Sequence, residues 1–252
     1  MIVENKAESI VWLDEIDSTN KYALERFEEL QDGALVCAMS QTAGRGRHQR
    51  VWQSPPGENV YASFVVKNFP DPIHRASWIG SLAVLDTFAE LLPDLDVWLK
   101  WPNDVYCREK KIAGLLCEGY ARGECRGVVI GMGVNINMPA ETLDTIDQPA
   151  TSVLRETGHK LNLKKFIKLL DKNLLARYIT TSNSIDQVYQ EWKAGNKILG
   201  RTIEIVDDRD GGILQGKVLD IGFDGELYFD LGQETVRLYS GDVRIKKDSL
   251  FR

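Results

Sequence analysis

The sequence predicts an α+β fold, a mixed sheet with covering helices, followed by a small C-terminal β-barrel. Three observations predict it. Up to Gly200, apolar runs of strand length alternate with stretches whose apolar residues recur every three or four positions. The strands in that part are joined more by hairpins than by βαβ crossovers. Beyond Gly200 the texture changes to short strands divided by Asp-Gly and glycine-rich turns. The boundary falls near Leu199, giving 1–198 and 199–252 as two domains.

Residues 10–14 are a short strand. Asp17, Ser18, Thr19 and Asn20 then offer helix-capping side chains ahead of a helical pattern over 21–27. Residues 34–39 are apolar enough for a buried strand, and 60–66 form another. Between them, residues 41–57 hold Arg45, Arg47 and Arg50 spaced by Gly44 and Gly46. Glycine at this density disfavours helix and strand, so a mobile loop is expected there. Over 74–92 the residues Trp78, Leu82, Leu85, Ala89 and Leu92 mark one apolar face of a long helix. Residues 97–101 return as a strand that ends at Pro102, Asn103 and Asp104. A hairpin through Arg108 and Glu109 leads to a strand over 110–118, and 127–135 is a buried strand breaking into a glycine turn. Helices are expected over 163–178 and around Ile185, Val188, Tyr189 and Trp192. The barrel strands are 201–206, 213–221, 226–231 and 235–238, with turns at 210–212, 223–225 and 240–242.

The chain has 252 residues, of which 43% are hydrophobic, which suffices for a sizeable core. Its net charge of −6 and pI near 5.3 argue against general binding to nucleic acid or anionic membrane. No apolar run reaches the ~18 residues of a membrane span, and residues 1–8 lack the pattern of a signal peptide. Cys37, Cys107, Cys117 and Cys125 contain no Cys-x-x-Cys pair, so reduced thiols in a cytoplasmic protein are expected, without a zinc site.

Near-matches to familiar signatures fail. Gly44-x-Gly46 and Gly131-x-Gly133 each lack the third glycine of a dinucleotide loop, and there is no P-loop. Ser18-x-x-Lys21 lacks its companion motifs, which leaves a cap and a surface lysine.

Four stretches carry chemistry. No Asp or Glu occurs between Asp32 and Glu58, so the arginine loop reverses the sign of the chain locally. Forked guanidinium donors suit closure over phosphate or carboxylate, and a solvated basic loop is the bland alternative. In Lys100-Trp-Pro-Asn-Asp104 the proline fixes the backbone that presents Asn103 and Asp104. Those two side chains could equally satisfy turn amides. Lys111 is followed by Gly114, which permits close approach of a ligand. Gly131, Gly133, Asn135 and Asn137 set amides beside backbone a ligand could touch. Cations and amides with one carboxylate nearby suit activation of a carboxylate at a nucleoside triphosphate.

These motifs stand in the order found in biotin protein ligases, which the chain resembles from about Ile10 to its C-terminus. The resemblance implies a class II synthetase-like catalytic domain and an SH3-like barrel. It implies an enzyme that adenylates biotin with ATP and transfers biotin to one lysine of a carrier domain. Carried onto this sequence, Ser18, Thr19, Asn20 and Gln41 would bind biotin, with Gly44, Arg45, Gly46, Arg47, Lys111, Gly114 and Gly133. Arg47, Arg50, Trp52, Asn103, Lys111 and Asn135 would bind ATP, magnesium arriving with the nucleotide near Asn135 rather than at a fixed protein site. Lys111, Arg45, Arg47 and Asp104 would be catalytic: Lys111 between the biotin carboxylate and the α-phosphate, Arg45 and Arg47 on the loop over the adenylate, and Asp104 toward the acceptor amine. A biotin carboxyl carrier protein and a homodimer are the implied partners, without DNA or membrane.

Two departures stand out. The family loop continues Arg-Gly-Arg after Gly-Arg-Gly-Arg, whereas this chain has His48-Gln49-Arg50. There is also no room ahead of Ile10 for the winged helix of some relatives, so a ligase without repressor activity is expected. A lipoate or octanoate ligase of the same superfamily and a single-stranded nucleic-acid binder using Trp52 are the rivals.

Overall fold

In the computed structural model, residues 10–70, 72–207 and 211–244 are described. The expectations for residues 1–8, for Asp210 and for the barrel beyond Arg244 lie outside them. Strand β1 (Ile10–Ile16) and β2 (Leu35–Gln41) pair in parallel, because α1 (Thr19–Glu25) crosses between them. The Ser18 hydroxyl caps α1 by accepting from the Lys21 amide at 3.5 Å. All later pairings in this sheet are antiparallel: β3 (Val60–Lys67), then, after α2 (Ala76–Leu91), β4 (Val97–Lys100), β5 (Asp104–Cys107), β6 (Lys110–Arg122) and β7 (Cys125–Val134). The order across the sheet is β1-β2-β3-β7-β6-β5-β4. Short helices α3 (Ala140–Leu143) and α4 (Val153–Thr157) lead to α5 (Leu163–Asn183) and α6 (Ile185–Gly195).

The sheet is covered on both faces, which is why the first seven residues of β3 are all buried. On one face α1 places Ala23, with Phe27 just beyond it, on Val36, Val65 and Val129. On the other, α2 lies between the sheet and α5 and α6. Trp78 stacks on Trp192 with ring centroids 5.1 Å apart, and Phe88 meets Phe166 edge-on at 5.5 Å. Arg177 of α5 grips both oxygens of Asp86 on α2 at 2.6 and 2.8 Å and also reaches Glu191 on α6.

The second sheet contains β8 (Thr202–Val206), β9 (Ile213–Ile221), β10 (Leu227–Asp230), β11 (Thr235–Leu238) and β12 (Asp242–Arg244). All its pairs are antiparallel, in the order β11-β10-β9-β8-β12. The last strand thus returns to pair with the first. One apolar cluster runs through both units, taking in Trp78 and Trp101 with Ile203, Ile221 and Leu227. The Trp101 indole N–H donates to Gly225 O at 2.7 Å, and the Tyr189 hydroxyl donates to Ile221 O at 2.6 Å. Among the described residues no helix is long and apolar enough to cross a membrane.

Several expectations need correction. Asp104 does not end a strand but begins β5, so the Arg108-Glu109 hairpin joins β5 to β6. Strand β12 replaces the end of the expected 240–242 turn. On α2, Ala89 is exposed, while every residue from Ala76 through Val84 is buried, because that half of the helix is enclosed on all sides. Gly131 and Gly133 lie within β7 rather than in a turn.

Candidate active site

A cavity of about 930 Å³ opens at one end of the first sheet. Its walls are the start of α1, the arginine loop, the facing ends of β5, β6 and β7, the segment 145–150, and Gly241 and Val243 at the start of β12. Of the positions singled out in the sequence, Ser18, Thr19, Asn20, Gln41, Arg45, Gly46, Arg47, Arg50, Trp52, Asn103, Asp104, Lys111, Gly114, Gly133 and Asn135 all line it. Gly44 does not.

One wall is a largely buried network of polar groups, neutral but for the Glu118 carboxylate. The Thr19 amide and hydroxyl both donate to Gln41 Oε1, at 2.9 and 3.2 Å. The Ser63 hydroxyl lies 2.8 Å from Thr19 Oγ1 and 2.6 Å from Asn20 Oδ1. Asn20 Nδ2 donates to Leu116 O at 3.1 Å and to Glu118 Oε2 at 2.7 Å. Gln41 Nε2 donates to the Ser54 hydroxyl at 3.1 Å, which in turn donates to Trp52 O at 2.9 Å. A Cβ at Gly131 would come within 2.2 Å of Asn20 Oδ1, so glycine there is what admits this side chain. Prearranged neutral donors and acceptors of this kind fit an uncharged polar ligand. Just ahead of Ser18, a hydrogen bond from Lys21 holds Asp17 below the usual carboxylate range.

Opposite lies a cluster of charge. The Lys111 ammonium is 2.6 Å from Asp104 Oδ1, their side chains 19% and 14% exposed, so neither faces bulk solvent. It sits 5.4 Å over the Trp52 ring. Backbone bonds fix this lysine from both sides: its N–H donates to Pro149 O and its carbonyl accepts from Thr151, each at 2.9 Å. Lys100 Nζ stands 4.0 Å from Asp104 Oδ2 and donates to the Tyr106 hydroxyl at 2.9 Å.

The arginine loop is built, not structureless. Arg45 bridges Val51, Gly46 N–H donates to Arg50 O at 2.7 Å, and Trp52 N–H donates to Gly44 O at 2.9 Å. Gly44 serves this closure, since a Cβ there would fall 2.6 Å from Ser54 Oγ and 2.7 Å from Trp52 O. His48 and Gln49 turn the loop at φ 54° and 58°. Gln49 therefore takes a left-handed conformation that glycine would adopt without strain. Arg47 Nη1 donates to Asn103 Oδ1 at 3.3 Å, and Arg45 lies 3.7 Å from Glu118. Trp52 lies flat over β6 and β7, where a Cβ at Gly133 would come 2.2 Å from its ring and one at Gly114 3.1 Å. The Trp52 indole N–H is buried and finds no hydrogen-bond partner among the described residues.

Two amides prove more committed than their motifs suggest. Asn135 donates to Thr151 O at 3.0 Å and accepts from Asn59 at 3.4 Å, and Asn103 donates to Leu115 O at 2.5 Å. Asn137 exchanges two bonds with Leu161 at 2.9 Å and does not line the cavity. Sequence reasoning gave no role to Lys100, Tyr106, Ser54, Asn59, Ser63 and Glu118. Ser63 could have been noticed as a lone hydroxyl inside an apolar strand run. Among the described residues no three His, Cys, Asp or Glu side chains gather as a metal cage.

Against known proteins, the Biotin/lipoate A/B protein ligase family matches residues 12–135. A biotin–[acetyl-CoA-carboxylase] ligase of Mycobacterium tuberculosis is 33% identical, over 84% of this chain and 79% of its own length. The bifunctional ligase/repressor BirA of Bacillus subtilis is 30% identical, over 96% of this chain and 75% of its own. The biotin protein ligase from Aquifex aeolicus, solved in complex with biotin and ATP, superposes with a TM-score of 0.77 at 26% identity, covering 93% of this chain and 97% of that one.

Proposed function

The chain belongs to the biotin protein ligases, within the biotin/lipoate A/B protein ligase family, and from that premise we propose how its own residues carry out the biotin–[acetyl-CoA-carboxylase] ligase reaction. Biotin takes the neutral wall, its ureido ring bonded by Ser18, Thr19, Asn20 and Gln41, and its carboxylate directed at Lys111. ATP occupies the remainder, beside Arg47, Arg50, Trp52, Asn103 and Asn135.

In the first step a biotin carboxylate oxygen bonds to the α-phosphorus and the bond to the β-phosphate bridge breaks, releasing pyrophosphate. Two anions must meet for this, and the Lys111 ammonium stands where they would converge. Arg45 and Arg47 hold the loop over the adenylate, excluding water from a reactive mixed anhydride. In the second step a carrier lysine attacks the acyl carbon, AMP leaves, and Asp104 orients the amine and accepts its proton. Magnesium enters as the companion of ATP. It would sit near Asn135, whose amide already bonds Thr151 O and Asn59, and would supply charge neutralisation on the triphosphate; among the described residues no three His, Cys, Asp or Glu side chains gather to hold it.

The reading extends to a carboxyl carrier domain as acceptor, to a homodimer, to a cytoplasmic setting, and to 1–198 and 199–252 as its domains. The observation that carries it is Lys111: a shielded ammonium beside Asp104, facing a vitamin-sized polar pocket. Supplying ATP with biotin, lipoate or octanoate in turn tests it. Pyrophosphate release is expected with biotin alone, followed by labelling of one carrier lysine. Release driven only by lipoate or octanoate would overturn the substrate assignment.

A further inference from the structure

We propose that Lys100 is a positioning residue for this reaction, a fixed counter-cation for Asp104 that frees the Lys111 ammonium to leave that carboxylate for the substrates. This rests on the role given to Lys111 above. Lys100 and Asp104 are cross-strand partners at the ends of β4 and β5. The two oxygens of Asp104 are treated unequally, with Lys111 at 2.6 Å from Oδ1 and Lys100 at 4.0 Å from Oδ2. The tight partner is the more accessible one and stands over the loop residue Trp52. The loose partner is only 5% exposed, bonded to the Tyr106 hydroxyl at 2.9 Å and set 4.6 Å over its ring. A lysine this buried is uncommon and is retained where its charge is answered.

An ammonium that must stand between two substrate anions cannot stay committed to a protein carboxylate. If Lys111 turned away, Asp104 would be left as a shielded charge without its closest partner, and that cost opposes the turn. A second ammonium already within reach of the other oxygen removes most of it. Lys100 lines the same cavity, but its bond to the Tyr106 hydroxyl holds it on the β4–β5 side, so it stays with the carboxylate when Lys111 turns. Two ammoniums and one carboxylate leave a surplus of one positive charge at the place where anions arrive.

The test is biotin-dependent ATP–pyrophosphate exchange in the full chain, reading kcat and KM separately. Lys100→Met is expected to lower kcat about tenfold or more while the KM for biotin stays within about threefold. Lys100→Arg is expected to keep most of the rate. In the double variant Lys100→Met/Asp104→Asn there is no carboxylate for Lys111 to leave, and exchange should recover toward the parent rate. A purely structural lysine would give no such recovery. Should the methionine variant fail to fold, Lys100→Gln neutralises the site with a group that Tyr106 can still bond. An unchanged kcat in the neutral variant, or a double variant no faster than the single one, overturns the proposal. Absence of biotin-dependent exchange in the unaltered protein would instead strike the assignment of the site itself.

Discussion

Replacing Lys111 by alanine removes the cation on which the first step depends. Two unit charges about 4 Å apart at an effective dielectric near 20 repel by about 4 kcal/mol. At roughly 1.4 kcal/mol per decade, that corresponds to about a thousandfold in rate. The backbone at this position needs no side chain to stay in place, since its N–H and C=O are tied to Pro149 and Thr151. Asp104 keeps Lys100 at 4.0 Å, so the variant should lose less than the roughly 3–5 kcal/mol of a buried pair broken with nothing left behind. Initial rates of biotin-dependent pyrophosphate exchange, at saturating biotin and ATP, measure the first quantity, and a thermal melt measures the second. A folded variant exchanging within about tenfold of the parent would refute the electrostatic reasoning.

Other outcomes follow from the same geometry. Arg45→Ala should let the adenylate escape, seen as biotin added to lysines of a bystander protein, and unchanged retention would count against the loop's role. Gly133→Ala places a methyl where the Trp52 ring lies 2.2 Å away, so the ring must swing out. The expected result is a raised KM for ATP and altered tryptophan fluorescence, with little change in melting temperature. Burial, with help from Glu156, pushes the Cys107 thiol up to about 12. A raised thiol pKa means little thiolate below it, about one part in ten thousand at pH 8. Cys107 should therefore resist alkylation at pH 8 until the protein is unfolded, as should fully buried Cys37.

Much of this could be read from the chain because the motifs sit where strands end. Loop, turn and strand residues from Gln41, Asp104, Lys111 and Gly133 converge once the sheet order brings β6 beside β5 and β7. The Ser18 cap was legible from its side chain alone. Strand β5 was not, because four residues between a proline turn and a hairpin carry too little pattern to separate from their neighbours. The helical period of α2 gave only part of its packing, since a helix enclosed on all sides has no polar face to betray the buried one. Lys100 lay within a recognised motif, yet only the β4–β5 register sets it beside Asp104. Glu118 and Ser63 sit singly in strands, and their partners are distant in sequence.

Trp101 belongs to the turn that carries Asn103 and leads into Asp104, yet its indole is anchored to Gly225, between β9 and β10. Cutting the chain near Leu199 would therefore not yield a smaller working enzyme. It would strand a large aromatic in water, loosen the corner that aims the acceptor-side carboxylate, and take Gly241 and Val243 from the cavity rim. For anyone trimming or fusing this protein, the C-terminal module is part of the mould in which the reaction is cast.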